Sequence, residues 1–221
     1  MLSGSCVSEV RLDHTSSQSR IGVAVLAAGA STRMGTPKQL LIYQGKTLIR
    51  RAVETALASV CDPVVVVLGA NAVAVGKELE LPVVVARNRE WETGMSSSVR
   101  VGLETLLATD RGMDGVVMML CDQPFVTPEL IDRLVERRRQ TRKSIVATDY
   151  HRTYGVPALF ASELFPELAD LTGDYGARRI IQKHGYDAAS VLFTDAAIDV
   201  DTPRDYNALQ AASPRTHVSP K

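Results

Sequence analysis

Cysteine is scarce in this chain: Cys6, Cys61 and Cys121 are the only three in 221 residues. An odd number at wide spacing argues against a disulfide framework or a zinc knuckle. Free thiols at the ends of apolar runs fit a reducing, cytoplasmic setting. Histidine is as sparse, four residues without a cluster, so no zinc site is indicated. Neither sign of charge dominates: 25 Lys and Arg stand against 25 Asp and Glu. That balance disfavours nucleic-acid and membrane-surface partners, although a zero sum still allows a local basic pocket. No apolar run approaches the ~20 residues needed to span a bilayer. Residues 1–20 are polar and lack the apolar centre of a signal peptide. There is no internal repeat and no linker.

What is present is ordinary globular composition, 45% hydrophobic and 23% charged, on a chain long enough for one substantial core. The expected organisation is a disordered lead-in over 1–19, one domain over 20–212 and a flexible tail over 213–221. Strand patterns are expected over 21–27, 63–68, 81–86, 115–121, 144–148 and 190–193. The valine run at 63–68 is continuous rather than alternating, as in strands covered on both faces. Helical periods fall over 47–60, 72–79, 94–109, 127–142 and 174–184, with a last helix after Thr202. Thr127-Pro128 and Thr202-Pro203 read as cap and first turn, and Asp205 completes a capping box. Strand and helix alternate, which predicts an α/β sandwich around a mostly parallel sheet. Ligands of such sheets bind beyond the carboxyl ends of the strands. Three unusual loops, 27–38, 88–98 and 122–124, follow strands and should converge there.

The first loop, within LAAGASTRMGTPK over residues 26–38, is small and then basic. Gly29 and Gly35 relax the backbone. Ala27, Ala28, Ala30 and Ser31 leave room for a ligand to approach the main chain, whose N–H groups can hold phosphate oxygens. Arg33 adds a planar fork of donors and Lys38 a point charge, a pair suited to a polyphosphate. Lys38 is followed by Gln39, not Ser or Thr, so this is no P-loop; the glycines lie too far apart for a dinucleotide loop. Asp122 ends the strand MMLCD, well placed for a magnesium ion beside phosphate. In IDVDTP only one of Asp199 and Asp201 is expected to point into a site, with Asp201 the better second ligand. The start of the 94–109 helix, GMSSS, is donor-rich and suited to anions. Trp91 is a packing plug or part of that site. YGVPALF over 154–160 is a wall for a flat ring or an ordinary turn. LTGDYGARR over 171–179 offers Arg178 or Arg179 to a phosphate, or to a surface ion pair.

Taken in order over residues 21–211, these motifs resemble the molybdenum cofactor cytidylyltransferases of the MobA-like NTP transferase family. The resemblance implies a three-layer α/β/α nucleotide-binding fold with a mixed, mostly parallel sheet, like that of the nucleotide-diphospho-sugar transferases. It implies magnesium-dependent (or manganese-dependent) transfer of CMP from CTP to molybdenum-loaded molybdopterin, with release of pyrophosphate. Under it Leu26, Ala27, Ala28, Gly29 and Ser31 join Arg33, Lys38 and Asp122 in binding the nucleotide. Arg33, Lys38 and Asp122 carry catalysis, and Asp122 with Asp201 holds the metal. Gly94, Met95, Ser96, Ser97, Gly155, Pro157, Gly173, Asp174 and Arg178 line the molybdopterin side. Guanylyl-transferring relatives usually carry glycine at the Ala28 position, so alanine leans toward CTP. A molybdenum hydroxylase or its chaperone would receive the product from a monomer or weak homo-oligomer. Three rivals remain: a guanylyl or other small-molecule phosphate nucleotidyltransferase, an oxidoreductase on the same fold, and a cofactor-delivery protein.

Overall fold

Seven strands make one sheet in the computed structural model, which describes residues 19–151, 153–193 and 199–211. Expectations for the lead-in and tail lie outside the described residues, apart from Ser19. The strands are β1 (Ile21–Ala27), β4 (Val64–Leu68), β5 (Val84–Arg87), β6 (Gly115–Leu120), β7 (Ile145–Asp149), β8 (Tyr154–Ala161) and β9 (Ala189–Leu192). A separate hairpin pairs β2 (Ile42–Tyr43) with β3 (Lys46–Thr47). The sheet order is β5-β4-β1-β6-β8-β7-β9. Only β8 runs against its neighbours, pairing antiparallel with β6 and β7, so the sheet is mixed and mostly parallel.

The valine run becomes a strand because both of its faces are covered; all five residues of β4 are buried. Alternate residues feed two cores. Val23, Val25 and Ala27 pack with α1 (Leu48–Leu57) and α4 (Pro128–Thr141) on one face. Ala24 and Leu26 pack with α3 (Met95–Thr109), α5 (Phe165–Ala169) and α6 (Arg178–Lys183) on the other. The architecture is three-layered, α/β/α. Helix α1 forms because Leu48, Ile49, Ala52, Val53 and Ala56 recur on one stripe, and Thr47 caps it by accepting the Arg50 N–H. Thr127 caps α4 in the same way. At α7 (Pro203–Ala211) the capping box closes: the Asp205 carboxylate accepts the Thr202 N–H at 2.8 Å, and Thr202 Oγ1 accepts the Asp205 N–H at 3.3 Å.

Two expectations change. Residues 154–160 form β8 rather than a turn; six of its eight residues are buried, so Gly155 and Pro157 are sheet residues. The helix expected from 174 starts only at Arg178. The hairpin and α5, each too short for a periodic signal, were not legible. A third small core of Met34, Tyr43, Leu48, Val200 and Leu209 ties the first loop and the hairpin to α7.

Candidate active site

The first loop leaves β1 at Ala27 and ends in the single turn Lys38–Leu40. The fold turns it back on itself with two left-handed residues, Ser31 (φ 57) and Gly35 (φ 74); Gly29 does not use its freedom. The N–H groups of Met34 and Gly35 both reach Ser31 O. Among the described residues, no acceptor takes the N–H of Gly29, Ala30, Ser31, Thr32 or Arg33. Successive donors without an acceptor among the described residues suit this loop to oxyanions, and Gly29 and Ala30 line the adjoining cavity.

Beside the loop stand the carboxylates. Val200 N–H donates to Asp122 O at 3.0 Å, which lays 199–201 along the end of β6. Lys38 Nζ donates to Asp122 Oδ2 and, at 2.7 Å, to Asp201 Oδ1. Arg33 Nη2 reaches Asp201 Oδ2 at 2.8 Å. Burial works against the Lys38 charge, yet attraction from Asp122 and Asp201 outweighs it and holds the ammonium above lysine's ordinary range. Asp201 is lowered despite its own partial burial, because Lys38 and Arg33 favour its ionised form. Asp199, which accepts from Gln123 Nε2 at 3.0 Å, is pushed up to about 6 by desolvation and then by Asp122. Its exposed surface limits the first of these. Both aspartates therefore reach this cluster, contrary to the expectation that only one would: residues two apart share a face of an extended segment.

A cavity of about 420 Å³ opens between loop and sheet edge. It collects Leu26, Ala27, Ala28, Gly29, Lys38 and Asp122 with Gly94, Met95 and Asp174. Arg33 and Asp201 meet at its rim rather than in its walls. A second cavity of about 330 Å³ shares Leu26, Met95, Leu120 and Asp174 with the first and adds Tyr150, Tyr175, Arg178 and Asp199. The two form one continuous cleft beyond the strand ends, where the three loops converge.

The serines of α3 behave differently from expectation. Asn88 Nδ2 donates to Ser97 Oγ and Ser98 Oγ at 2.8 and 3.0 Å, and Ser97 Oγ donates to Glu90 O and Gly94 O. Ser96 and Ser97 are buried away from both cavities; only Ser98 reaches a wall. Gly155 and Pro157 also lie outside the walls, since β8 contributes Val156 alone. Gly173 acts through its backbone, accepting the Ser96 N–H at 3.1 Å. Gly94 (φ 107) packs so tightly here that a Cβ would stand 2.4 Å from Asp174 Oδ1 and 2.6 Å from Gly173 O. Sequence reasoning missed Gln39, Glu92, Leu120, Cys121 and Tyr150 as cleft residues, whereas Tyr175 falls in the stretch 173–178 expected there. Gln39, a buried polar residue beside Lys38, could have been flagged by its position in the loop; the others carry no local signal.

A divalent cation is implied by the family, and the donor set fits one. Asp122 Oδ1 is buried with no described partner, and hard carboxylate oxygens suit magnesium or manganese. Among the described residues, no group of three or more His, Cys, Asp and Glu is preassembled for a metal. Lys38 holds the two candidate carboxylates together.

Comparison with known proteins places this cleft in context. Nicotine blue oxidoreductase of Paenarthrobacter nicotinovorans is 36% identical over 80% of this chain and 90% of its own length. Purine catabolism protein PucB of Bacillus subtilis is 31% identical over 87% and 96%. A molybdenum cofactor guanylyltransferase of Rhodobacter capsulatus is 29% identical over 84% and 93%. Among solved structures, Rv0371c of Mycobacterium tuberculosis superposes with a TM-score of 0.75 at 32% identity, covering 88% of this chain and 98% of that one. A manganese complex of Rv0371c gives a TM-score of 0.70 at 28% identity, over 88% and 100%. The model of the MobA-like NTP transferase domain matches residues 23–189, so the chain belongs to that family and is a nucleotidyltransferase by that membership.

Proposed function

We propose that the chain transfers CMP from CTP to the terminal phosphate of molybdenum-loaded molybdopterin. A phosphate oxygen of the acceptor forms the new bond to the α-phosphorus, and the bond to pyrophosphate breaks in line. The acceptor phosphate is already largely ionised near neutral pH, so no strong base is required. The chain's contribution is positioning and neutralisation of charge. Leu26, Ala27, Ala28 and Gly29 bind base and ribose. The free N–H groups of the loop, Lys38 and Arg33 hold the triphosphate and offset charge on the leaving pyrophosphate. Asp122 and Asp201 would hold the divalent cation, which supplies charge shielding for the phosphates when bound. Met95, Asp174 and Arg178 face the acceptor in the adjoining cavity. A molybdenum hydroxylase or its chaperone then receives the product.

One observation carries this reading: two cations and two carboxylates meet at the mouth of a small-residue loop beyond the strand ends. The choice of CTP rests on alanine at position 28, where guanylyl-transferring relatives usually carry glycine. The guanylyltransferase relative favours GTP as the competing donor. The relative named an oxidoreductase keeps redox chemistry as a second reading. The test is pyrophosphate release with Mg²⁺ and molybdenum-loaded molybdopterin, comparing CTP, GTP, ATP and UTP. Release with CTP and a cytosine dinucleotide product is expected. Release with GTP alone reassigns the donor. Silence with all four, together with oxidation of NAD(P)H by an electron acceptor, overturns the transferase reading.

A further inference from the structure

Gln39 has no role in the assignments above, yet it is the least exposed polar side chain in the wall of the first cavity, at 1%. Its Nε2 donates to Ala27 O at 3.0 Å and to Gly29 O at 2.8 Å. Its Oε1 accepts the Ser31 hydroxyl at 3.3 Å, and Ser31 Oγ in turn accepts the Lys38 N–H at 3.0 Å. One carboxamide thus ties the beginning of the loop to its end. We propose that Gln39 is the positioning residue of the nucleotide loop: it fixes the backbone with donors facing the cleft and, through Ser31, seats Lys38 at the mouth. This rests on the nucleotide-binding reading above.

The physical argument starts from the two carbonyls. Ala27 O and Gly29 O converge on one nitrogen, and both N–H bonds of that nitrogen are used. With these oxygens turned inward, the N–H groups from Gly29 to Arg33 stay unclaimed. Without the amide, two carbonyl oxygens would face each other with no donor, an unfavourable state in a buried setting. The easiest relief is rotation of the peptide after Gly29. Gly29 carries no side chain, so its own backbone angles oppose that rotation least. That rotation would point Gly29 O at the cleft and withdraw the Ala30 N–H, replacing a donor by an acceptor where phosphate oxygens bind. Glutamate and leucine carry no N–H, and asparagine is one carbon too short to reach both carbonyls. The effect should fall on polyphosphate recognition and spare the rest of the nucleotide.

Trp91 is the sole tryptophan and lines the same cavity, so its fluorescence reports occupancy directly. The experiment titrates CTP with Mg²⁺, and separately CMP, into wild type, Gln39→Leu and Ser31→Ala, with melting temperatures measured alongside. Gln39→Leu should weaken CTP binding by roughly tenfold or more, while CMP changes by less than about threefold. Ser31→Ala should weaken CTP by roughly threefold with an unchanged melting temperature. Equal losses for CTP and CMP, tracking a fall in melting temperature, would show that Gln39 only holds the fold and overturn the proposal. Wild-type CTP affinity in Gln39→Leu overturns it outright. Should Gln39→Leu fail to fold, Ser31→Ala decides alone, and wild-type CTP affinity there overturns the proposal. Wild type that binds neither CTP nor GTP, ATP or UTP sinks the nucleotide reading itself, a result distinct from any variant effect.

Discussion

Lys38 holds two carboxylates at once, with its side chain only 17% exposed and that of Asp122 only 8%. Lys38→Met removes the shared counter-charge and leaves Asp122 buried and unpaired. Breaking such a pair costs about 3–5 kcal/mol, less here because Asp201 stays a third exposed. The expected outcome is a lower melting temperature that Mn²⁺ alone largely restores, since a divalent cation takes the place of the lost ammonium. A Mn²⁺-induced rise no larger than in wild type would show that these carboxylates do not bind the metal. Asp199 and Asp201 make a second residue-scale test, because they are shifted in opposite directions. Asp199 is raised, so the folded state takes up its proton first and stability increases as pH falls from about 6 toward the ordinary carboxylate range. Asp201 is lowered, so its contribution is present above that range and is lost as pH falls through its folded value. Melting curves should therefore show Asp199→Asn stabilising at pH 7.5, with the advantage gone near pH 4. A constant advantage across that window would sink the assignment.

At the scale of elements, the start of α3 and the loop before α6 lock together through one glycine. Gly94 sits at φ 107, and any side chain there collides with Asp174 and the Gly173 backbone. Gly94→Ala should cost on the order of 1–3 kcal/mol and widen the junction between the two cavities. Thermal melts and nucleotide titration would check this; an unchanged melting temperature would mean the loop yields freely. The caps of α4 and α7 were readable from short sequence patterns because capping is a local interaction. The identity of β8 was not, because Gly155 and Pro157 look like turn residues until β6 and β7 close on both sides of them. The serines at 96–98 misled for the same reason: exposure of a hydroxyl depends on Asn88, which arrives from the loop before the helix.

For the whole molecule, the core on the α1 and α4 face of the sheet buries both Cys61 and Cys121. Burial pushes the Cys61 thiol up to about 12 and raises Cys121 further. Both should resist alkylation in the native protein at pH 8 and react only on unfolding, as peptide mapping after iodoacetamide treatment would reveal. Rapid native labelling of either would contradict this packing. No helix among the described residues is long and apolar enough to cross a membrane. The sheet also explains the cleft: six of its seven strands point the same way, so the loops after β1, β5 and β6 share one edge.

The sequence by itself determined the alternation of strands and helices, the caps of α4 and α7 and the small basic loop. Each depends on near neighbours and on a period of two or 3.6 residues. It also sufficed to single out Lys38, Asp122 and Asp201, since a lysine after a small-residue loop, an acid at a strand end and an acid just before a helix cap are unusual where they stand. Tertiary structure alone decided that Lys38 bridges two aspartates 79 residues apart, that Asp199 joins them, and that Gln39 ties the loop together. It also decided which serines and glycines of the second-substrate side face the cleft. Those outcomes depend on which distant backbone supplies the partner, and no local pattern encodes that.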